Sequence, residues 1–255
     1  MAEDSCTRAS GRELLDRIAG AALSGGQVTL LLNHRGLCTI LETSCGAGCA
    51  AVASANEKQP RFTEVLDELR RIAEACRRHA CCRPKGRVAV IYFGVDGLAR
   101  ILLEECAEDV VEVYGSLTQL RCPACGLTVN LLKERSQMVQ PRCPVCNVGM
   151  IPLPLVLEDG PAPSLLRRAL VHVTSSDVVV ASLYPATLLE LSLILVASKF
   201  AETYLVPEDG SEPPAQPIMA AGAKLASGLS LLDVVESLGL FCRTSALPRQ
   251  GEERS

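Results

Sequence analysis

The sequence of 255 residues contains no tryptophan, and aromatic residues make up only 3% of it. A core must therefore be packed by leucine, valine, isoleucine and alanine, and the 48% apolar content supplies them in quantity. The formal net charge of −4 lacks the positive balance of a general nucleic-acid binder, so nucleic acid is not the expected partner. We also find no phosphate-binding Gly-Lys-Ser motif, no paired-carboxylate motif and no spacing typical of a Ser/His/Asp triad.

An amino-terminal signal peptide is also lacking, and thirteen cysteines are spread through the chain. Together these features predict an intracellular protein in a reducing compartment, the nucleus or the cytoplasm. The window from Val178 to Ala201 is apolar enough to suggest a membrane span, but Pro185, Glu190 and Lys199 interrupt it. A buried strand that runs into a core helix explains the window better, so we expect no membrane contact.

Two Cys-x-x-Cys pairs form the most specific pattern in the chain. Cys122 and Cys125 make the first pair, Cys143 and Cys146 make the second, and residues 126–142 separate them. This spacing is typical of a zinc ribbon with four thiolate ligands. Each pair can form a tight turn, and two facing turns can close a tetrahedron of sulfurs around one zinc ion.

The alternatives for these cysteines are two disulfides or four unrelated core thiols. The expected reducing compartment argues against disulfides. Gly126 and Asn147 follow the two pairs, at positions where the turn tends to need a positive φ, and glycine and asparagine adopt that conformation most easily. Four protein ligands leave no open coordination position, so the predicted zinc is structural and not catalytic.

Helical and extended patterns alternate on both sides of the cysteine pairs. The predicted helices cover Arg12–Leu23, Phe62–His79, Leu98–Cys106, Ser164–Leu170, Ala186–Phe200 and Leu229–Leu240. The predicted strands cover Val28–Leu32, Leu37–Glu42, Val88–Phe93, Asp109–Tyr114, Asp177–Leu183 and Thr203–Val206. This alternation predicts an α/β fold, a Rossmann-like parallel sheet with helices on both faces.

The same patterns predict a division of the chain. We expect a Rossmann-like domain over residues 12–119 and 158–241, interrupted by a zinc-ribbon insertion over 120–157. Residues 1–11 lack a periodic apolar pattern and are expected to be disordered, and residues 242–255 are expected to form a flexible tail. Ligands of parallel sheets bind beyond the carboxyl ends of the strands, so the loops there are the candidate sites.

A small-residue stretch that includes Gly46 and Gly48 matches the pattern Gly-x-Gly-x-x-Ala after the predicted strand Leu37–Glu42. Such a loop lets backbone amides approach a pyrophosphate. A tightly packed or flexible Ala/Gly turn remains the alternative. The turn residue His34 is expected to be solvated, and His172, between apolar neighbours, to be a structural histidine with its hydrogen bonds satisfied.

The chain resembles the sirtuin family of NAD-dependent protein deacylases in three stretches. Residues 95–98 (Val-Asp-Gly-Leu) and 111–117 (Val-Glu-Val-Tyr-Gly-Ser-Leu) are similar to the family's run from Gln-Asn-Ile-Asp-Gly-Leu to His-Gly-Ser-Leu. The cysteine ribbon follows directly, as it does in sirtuins, and residues 154–158 resemble the segment after it. Residues 176–185 resemble the segment with the family's Gly-Thr-Ser-Leu nucleotide loop.

The resemblance implies a sirtuin-like fold with structural zinc, and it makes NAD a possible cofactor held by Gly46, Gly48, Asp96 and Ser182. It also places Tyr114 where the family has its catalytic histidine. A phenol is protonated at neutral pH and does not replace a histidine as general base, so no catalytic residue is assigned.

Several motif positions that depart from the family pattern fall in this one pocket. We therefore expect a catalytically degenerate protein that acts through an unidentified protein partner. The alternative is a weakly active NAD-dependent protein deacylase or ADP-ribosyltransferase. A nucleic-acid-binding ribbon is a third possibility, supported by basic residues such as Arg121 and Arg142 but by no aromatic stacking platform.

Overall fold

A computed structural model describes residues 8–46, 62–80, 83–131, 142–152, 161–183, 187–207 and 216–241. Its strands are β1 (Arg8–Ser10), β2 (Gln27–Leu32), β3 (Arg87–Tyr92), β4 (Asp109–Glu112), β5 (Gln119–Arg121), β6 (Thr128–Asn130), β7 (Ile151–Pro152), β8 (Val178–Leu183), β9 (Glu202–Pro207) and β10 (Lys224–Ser227). Its helices are α1 (Gly11–Leu23), α2 (His34–Cys45), α3 (Phe62–Arg77), α4 (Leu98–Leu103), α5 (Pro163–Ser175), α6 (Leu188–Phe200), α7 (Gln216–Ala220) and α8 (Leu231–Ser237).

Seven strands form one sheet in the order β1-β10-β9-β8-β2-β3-β4, and every neighbouring pair is parallel. Strand β2, between β8 and β3, is buried along its whole length because helices cover both faces of the sheet. Leu30 and Leu32 of β2 pack into one apolar layer, which includes residues of α1, α2, α3 and α8. Leu31 packs into the opposite layer with residues of α5 and α6, as the two-residue alternation of a strand requires. The predicted parallel α/β fold is confirmed.

The segment predicted as a strand over Leu37–Glu42 is a helix, and that prediction is wrong. Asn33 is the N-cap of α2, and its side-chain oxygen accepts a hydrogen bond from Gly36 N at 2.7 Å. Leu37, Ile40 and Leu41 are buried, and their spacing is that of one helical face. A short apolar run fits either a strand or a buried helix, and here the asparagine cap decides in favour of the helix.

The predicted disorder of residues 1–11 is wrong for residues 8–11. Arg8–Ser10 form β1, which pairs in parallel with β10, and α1 begins at Gly11. Ser10 caps α1 by accepting a hydrogen bond from Glu13 N at 3.2 Å. Neither β10 nor α7 is predicted from the sequence. Residues 1–7 and the predicted tail 242–255 lie outside the described residues.

The apolar window from Val178 to Ala201 is divided between β8 and α6, with residues 184–186 outside the described part. Thr187 and Glu190 form a capping box at the start of α6, which gives the helix a defined first turn. Among the residues described, no helix is long and apolar enough to cross a membrane.

A second, three-stranded antiparallel sheet has the order β6-β5-β7 and carries the cysteine pairs. Leu131, just after β6, donates a backbone hydrogen bond to Thr118 O at 2.8 Å. Arg70 of α3 donates to Leu131 O at 3.2 Å, which joins this small sheet to a helix of the main domain. We call residues 119–131 and 142–152 the ribbon.

Candidate functional site

Four cysteine sulfurs of the ribbon converge on one point. Sγ atoms lie 3.1 Å apart for Cys122 and Cys146, 3.5 Å for Cys125 and Cys143, and 3.8 Å for Cys125 and Cys146. All four ligand atoms lie within 4.8 Å of one another. Zn–S bonds of roughly 2.3 Å in a regular tetrahedron separate the sulfurs by about 3.8 Å, so this cluster fits a structural zinc.

The two cysteine turns are built alike. Cys122 N donates to Leu127 O at 2.8 Å, and Cys143 N donates to Val148 O at 2.9 Å. Gly126 N and Asn147 N each donate back to the first cysteine of their pair, both at 2.9 Å. Gly126 and Asn147 have φ angles of 77° and 55°, which confirms the positive φ predicted for both.

The chemistry of the four sulfurs also favours a metal. Hydrogen bonding from the Cys125 backbone lowers the pKa of Cys122 to about 6. The neighbouring Cys122 sulfur raises the pKa of Cys146 to about 12. Four thiolates this close repel one another, and a divalent cation removes that repulsion by binding all of them.

A second cluster of polar side chains lies at the carboxyl ends of β2 and β3, centred on Asp96. Asp96 is fully buried, and its Oδ2 accepts hydrogen bonds from Tyr92 Oη at 2.6 Å and from His34 Nδ1 at 2.8 Å. Its Oδ1 accepts from Leu98 N at 2.7 Å, at the start of α4. Both carboxylate oxygens are therefore engaged by the protein itself.

The two side chains on Asp96 Oδ2 have altered acidities. The hydrogen bond to Asp96 raises the pKa of His34 above its ordinary value and outweighs the opposing effect of burial. Burial, reinforced by the Asp96 charge, raises the pKa of Tyr92 well above its ordinary value. Tyr92 therefore stays protonated and donates. The expectation that His34 is merely solvated is wrong, because its side chain is an ion-pair partner of a buried carboxylate.

Ser182 lies at the end of β8, beside the same loop. Its Oγ accepts a hydrogen bond from Asn33 N at 3.3 Å, so it supports the turn that leads from β2 into α2. Asn33, Phe93, Ser182 and Glu190 line a cavity of about 10 Å³, enough for one water at most.

Tyr114 lies two residues after the end of β4. Its hydroxyl lies 3.2 Å from Thr187 Oγ1 at the start of α6, and its ring packs edge to face on Phe93 with centroids 6.5 Å apart. Tyr114 thus acts as a packing and hydrogen-bonding residue between β4 and α6.

Gly46 is not in a loop after a strand. It is the C-cap of α2 with φ 66°, and α2 separates it from the sheet edge by twelve residues, or roughly 18 Å. The carboxyl end of a helix has a negative partial charge, which disfavours a phosphate. The predicted glycine loop required a strand before Gly46, and that part of the prediction is wrong because a helix precedes it. Gly48 lies outside the described residues.

One further feature was not predicted, and one further prediction is confirmed. Cys45, at the end of α2, forms a disulfide with Cys76 of α3, so not every cysteine outside the ribbon is a free thiol. The other histidine prediction is confirmed, since His172 Nε2 lies 2.9 Å from Asp109 and its Nδ1 lies 3.0 Å from Gln27 Nε2.

Comparison with known proteins gives matches among solved structures only. No protein-family model matches the sequence, and no curated protein matches it. A mutant Sir2 homologue in complex with ADP-ribose has a TM-score of 0.55 and 17% identity, over 89% of this chain and 94% of that one. A Sir2 homologue–NAD complex has a TM-score of 0.53 and 18% identity, over 91% of this chain and 93% of that one.

The chain has a sirtuin-like fold. The shared architecture includes the parallel sheet and agrees with the family resemblance of residues 95–98 and 111–117. At this level of identity the similarity concerns the fold alone. Within the sirtuin-like fold, Asp96 and Ser182 lie at the same carboxyl edge, whereas Gly46 lies a helix away from it.

Sequence reasoning missed His34 as a partner of Asp96. Both loops were recognised as following strands, but the contact depends on β2 and β3 being neighbours in the sheet, with His34 and Asp96 each just beyond the strand ends. The order of strands is not encoded in any local pattern. The available signal was the pairing of a histidine and an aspartate in two loops on one edge.

Proposed function

We propose that this protein is a catalytically degenerate sirtuin-like protein that acts by binding another protein, with zinc maintaining the ribbon. The observation that carries the proposal is the engagement of Asp96 by Tyr92, His34 and Leu98. In the family resemblance this aspartate contacts the nicotinamide and ribose. Here a ligand has to displace a buried phenol and an imidazole before it reaches the carboxylate.

Other residues near the carboxyl edge of the parallel sheet support the same conclusion. In the family resemblance Tyr114 falls at the position of the general base, and its hydroxyl lies within hydrogen-bond distance of Thr187 Oγ1, at 3.2 Å. Solved structures with a similar fold include complexes with NAD and ADP-ribose, so NAD remains a possible ligand. Two features of the described residues nevertheless differ from an open phosphate-binding edge. The space beside Ser182 is about 10 Å³, and Gly46 lies at the end of α2 instead of at the beginning of a helix.

The ribbon supports protein binding. Four of its large apolar side chains are exposed, namely Leu127, Val145, Val148 and Ile151, and Val145 is 74% exposed. Exposed apolar groups on a small rigid module are typical of a surface that contacts another protein. Zinc would fix the turns that present Leu127 and Val145.

The test combines turnover with cofactor binding. Zinc-loaded protein is mixed with NAD and acetyl-lysine peptides, and nicotinamide release is followed by chromatography, with calorimetry of NAD binding at millimolar concentration. We expect no release above the protein-free control and no binding heat. Release that disappears in Asp96→Asn would contradict the proposal and establish the alternative, a weakly active NAD-dependent deacylase or ADP-ribosyltransferase.

The protein-binding part has its own test. Affinity capture is compared between the wild type and the double variant Val145→Ser, Val148→Ser, with zinc content measured on both samples. We expect a partner that is retained by the wild type and lost by the variant at unchanged zinc content. Identical recovery from both would exclude the ribbon as the binding surface.

A further inference from the structure

The ribbon contains a seven-residue motif twice. Residues 121–127 read Arg-Cys-Pro-Ala-Cys-Gly-Leu, and residues 142–148 read Arg-Cys-Pro-Val-Cys-Asn-Val. Both copies have an arginine before the first cysteine and an aliphatic residue at the end. A four-cysteine zinc site requires the thiolates and turns that can close around the metal, but it requires neither the arginine nor the terminal aliphatic residue. We therefore ask what these two shared positions bind.

The two arginines occupy equivalent places in the structure. Arg121 pairs with Thr128 across the first cysteine turn, in the antiparallel pairing of β5 and β6. Arg142 forms an antiparallel bridge with Gly149 across the second cysteine turn. In both turns the partner is the residue that follows the motif, and both arginines are exposed. The repeated sequence therefore corresponds to a repeated structure.

The second turn holds a guanidinium close to exposed aliphatic groups. Arg142 Nη1 donates a hydrogen bond to Asn147 O at 3.0 Å, the carbonyl of the peptide bond to Val148. Val148 is 39% exposed, and Val145 of the same turn is 74% exposed. A guanidinium has five N–H donors, so the contact with the carbonyl fixes the side chain and leaves donors for a ligand.

The first turn has a similar arrangement. The guanidinium of Arg121 lies against Gly126, because a Cβ added at that glycine would be 3.7 Å from Arg121 Nη2. Leu127, the next residue, is 36% exposed. Among the residues described, the Arg121 side chain has no ion-pair partner, so its charge is available to a ligand. One zinc-bound module thus presents two guanidiniums, each within a residue or two of an exposed aliphatic side chain.

The charge of this surface determines what it can bind. The described part of the ribbon contains no aspartate or glutamate, and Arg121 and Arg142 are its only charged side chains apart from the cysteine thiolates. Carboxylates are the protein groups that pair best with guanidinium, through charge-assisted hydrogen bonds. The exposed aliphatic groups in turn favour apolar side chains on the ligand. A complementary ligand therefore combines anionic oxygens with apolar groups.

Two classes of macromolecule have anionic groups that suit arginine. Nucleic acids supply phosphates, but their unpaired bases stack on aromatic rings, and the described part of the ribbon has no aromatic residue. Acidic protein segments supply carboxylates together with leucine, isoleucine or valine. Given protein binding as the proposed function, on which this inference rests, we propose that the two arginine-bearing turns bind a protein segment that combines carboxylates with aliphatic side chains.

The experiment uses peptides as probes. Random peptides displayed on phage are selected on zinc-loaded, full-length protein, and the enriched sequences are synthesised with a fluorophore and titrated by fluorescence anisotropy. We expect the enriched sequences to be rich in aspartate and glutamate next to leucine, isoleucine or valine. Their affinity for the wild type should fall as the salt concentration rises, because salt screens exposed ion pairs.

Three double variants separate the position of the charge from its presence. Arg121→Gln, Arg142→Gln should weaken a selected peptide about tenfold at unchanged zinc content, because two exposed ion pairs are lost. Arg121→Lys, Arg142→Lys retains both charges and should keep most of the affinity. Arg77→Gln, Arg78→Gln is the matched control, since it removes two exposed arginines outside the ribbon and should bind the peptide like the wild type.

The outcomes distinguish this inference from the proposed function. Peptides that lack acidic residues, bind equally to Arg121→Gln, Arg142→Gln and are lost in Val145→Ser, Val148→Ser would overturn the acidic partner and leave protein binding in place. If no selected peptide depends on either pair of residues, the ribbon is not a protein-binding surface and both proposals fail. Tighter binding of single-stranded DNA than of any selected peptide would assign the surface to nucleic acid and also overturn this inference.

Discussion

Arg100 and Glu112 form an ion pair inside the protein, with Arg100 Nε 3.3 Å from Glu112 Oε2 and the Glu112 side chain only 3% exposed. Burial raises the pKa of Glu112 to about 7, and the positive charge of Arg100 offsets the effect only in part. The second oxygen, Oε1, has no hydrogen-bond partner among the residues described. The charged form of this carboxylate is therefore unfavourable in the folded state.

The Glu112 carboxylate should make the stability of the folded protein fall as pH rises. Between the ordinary glutamate value of 4.5 and about 7 the folded state binds more protons than the unfolded state, so stability falls as pH rises and levels off above that range. The loss amounts to about 3 kcal/mol. Urea unfolding from pH 4.5 to 8 should show this slope in the wild type.

Two variants isolate the Glu112 contribution. Glu112→Gln has no charge to bury and should flatten the slope. Glu104→Gln is the matched control, because Glu104 also pairs with Arg100 but is 38% exposed, so it should keep the slope. Equal slopes in the wild type and Glu112→Gln would contradict this account.

The His34–Asp96 pair should stabilise the fold on the acidic side of neutrality. The pKa of His34 is raised in the folded protein, so the contribution is complete below the unfolded histidine value and is lost as pH rises through the folded one. We expect His34→Gln to lower the melting temperature most at about pH 5.5 and least at about pH 8.5. A difference in melting temperature between the wild type and His34→Gln that grows as pH rises would contradict this prediction.

Zinc removal should disorder the ribbon. We expect one zinc per chain by mass spectrometry of the metal, and Cys143→Ser should lose it because Cys143 is one of the four converging ligands. Trypsin should then cut at Arg121 and Arg142 within the ribbon. Cys106→Ala, which changes a buried cysteine of the main core, should keep its zinc. Full metal content in Cys143→Ser would contradict a four-cysteine site.

Gly97 is required where the Asp96 loop enters α4. Its φ is +78°, and an added Cβ would lie 2.0 Å from Thr118 Oγ1 and 2.6 Å from Ser116 Oγ. We expect Gly97→Ala to cost at least about 2 kcal/mol in urea unfolding. Gly20→Ala is the control: with open space around it in α1, it should be neutral or stabilise by about 0.5–1 kcal/mol. A neutral Gly97→Ala would show that this loop can shift.

The zinc cluster and most of the sheet could be predicted because local patterns carry them. The cysteine spacing and the residues Gly126 and Asn147 define the turns without reference to the rest of the chain. Strand β3 is nearly continuously apolar, as a strand buried on both faces must be.

The remaining features depend on contacts between distant parts of the chain. Strand β1 has three residues and is ordered by pairing with β10, more than two hundred residues later. Helix α2 was mistaken for a strand because its apolar run is short, and that error carried Gly46 into the wrong position. His34 and Asp96 meet only because β2 and β3 are adjacent. The Cys45–Cys76 bond has no sequence pattern of its own.

The pairing of Arg8–Ser10 with Leu225–Ser227 has a practical consequence for anyone who prepares this protein. A shortened form that begins at Arg12 would strip away the outermost strand and the serine cap of α1, and leave β10 with bare backbone amides and carbonyls. Such an exposed border recruits strands from other molecules. Poor solubility of a shortened form would then result from the loss of β1 and would not be a property of the full-length chain. A purification tag is therefore better attached at the carboxyl terminus.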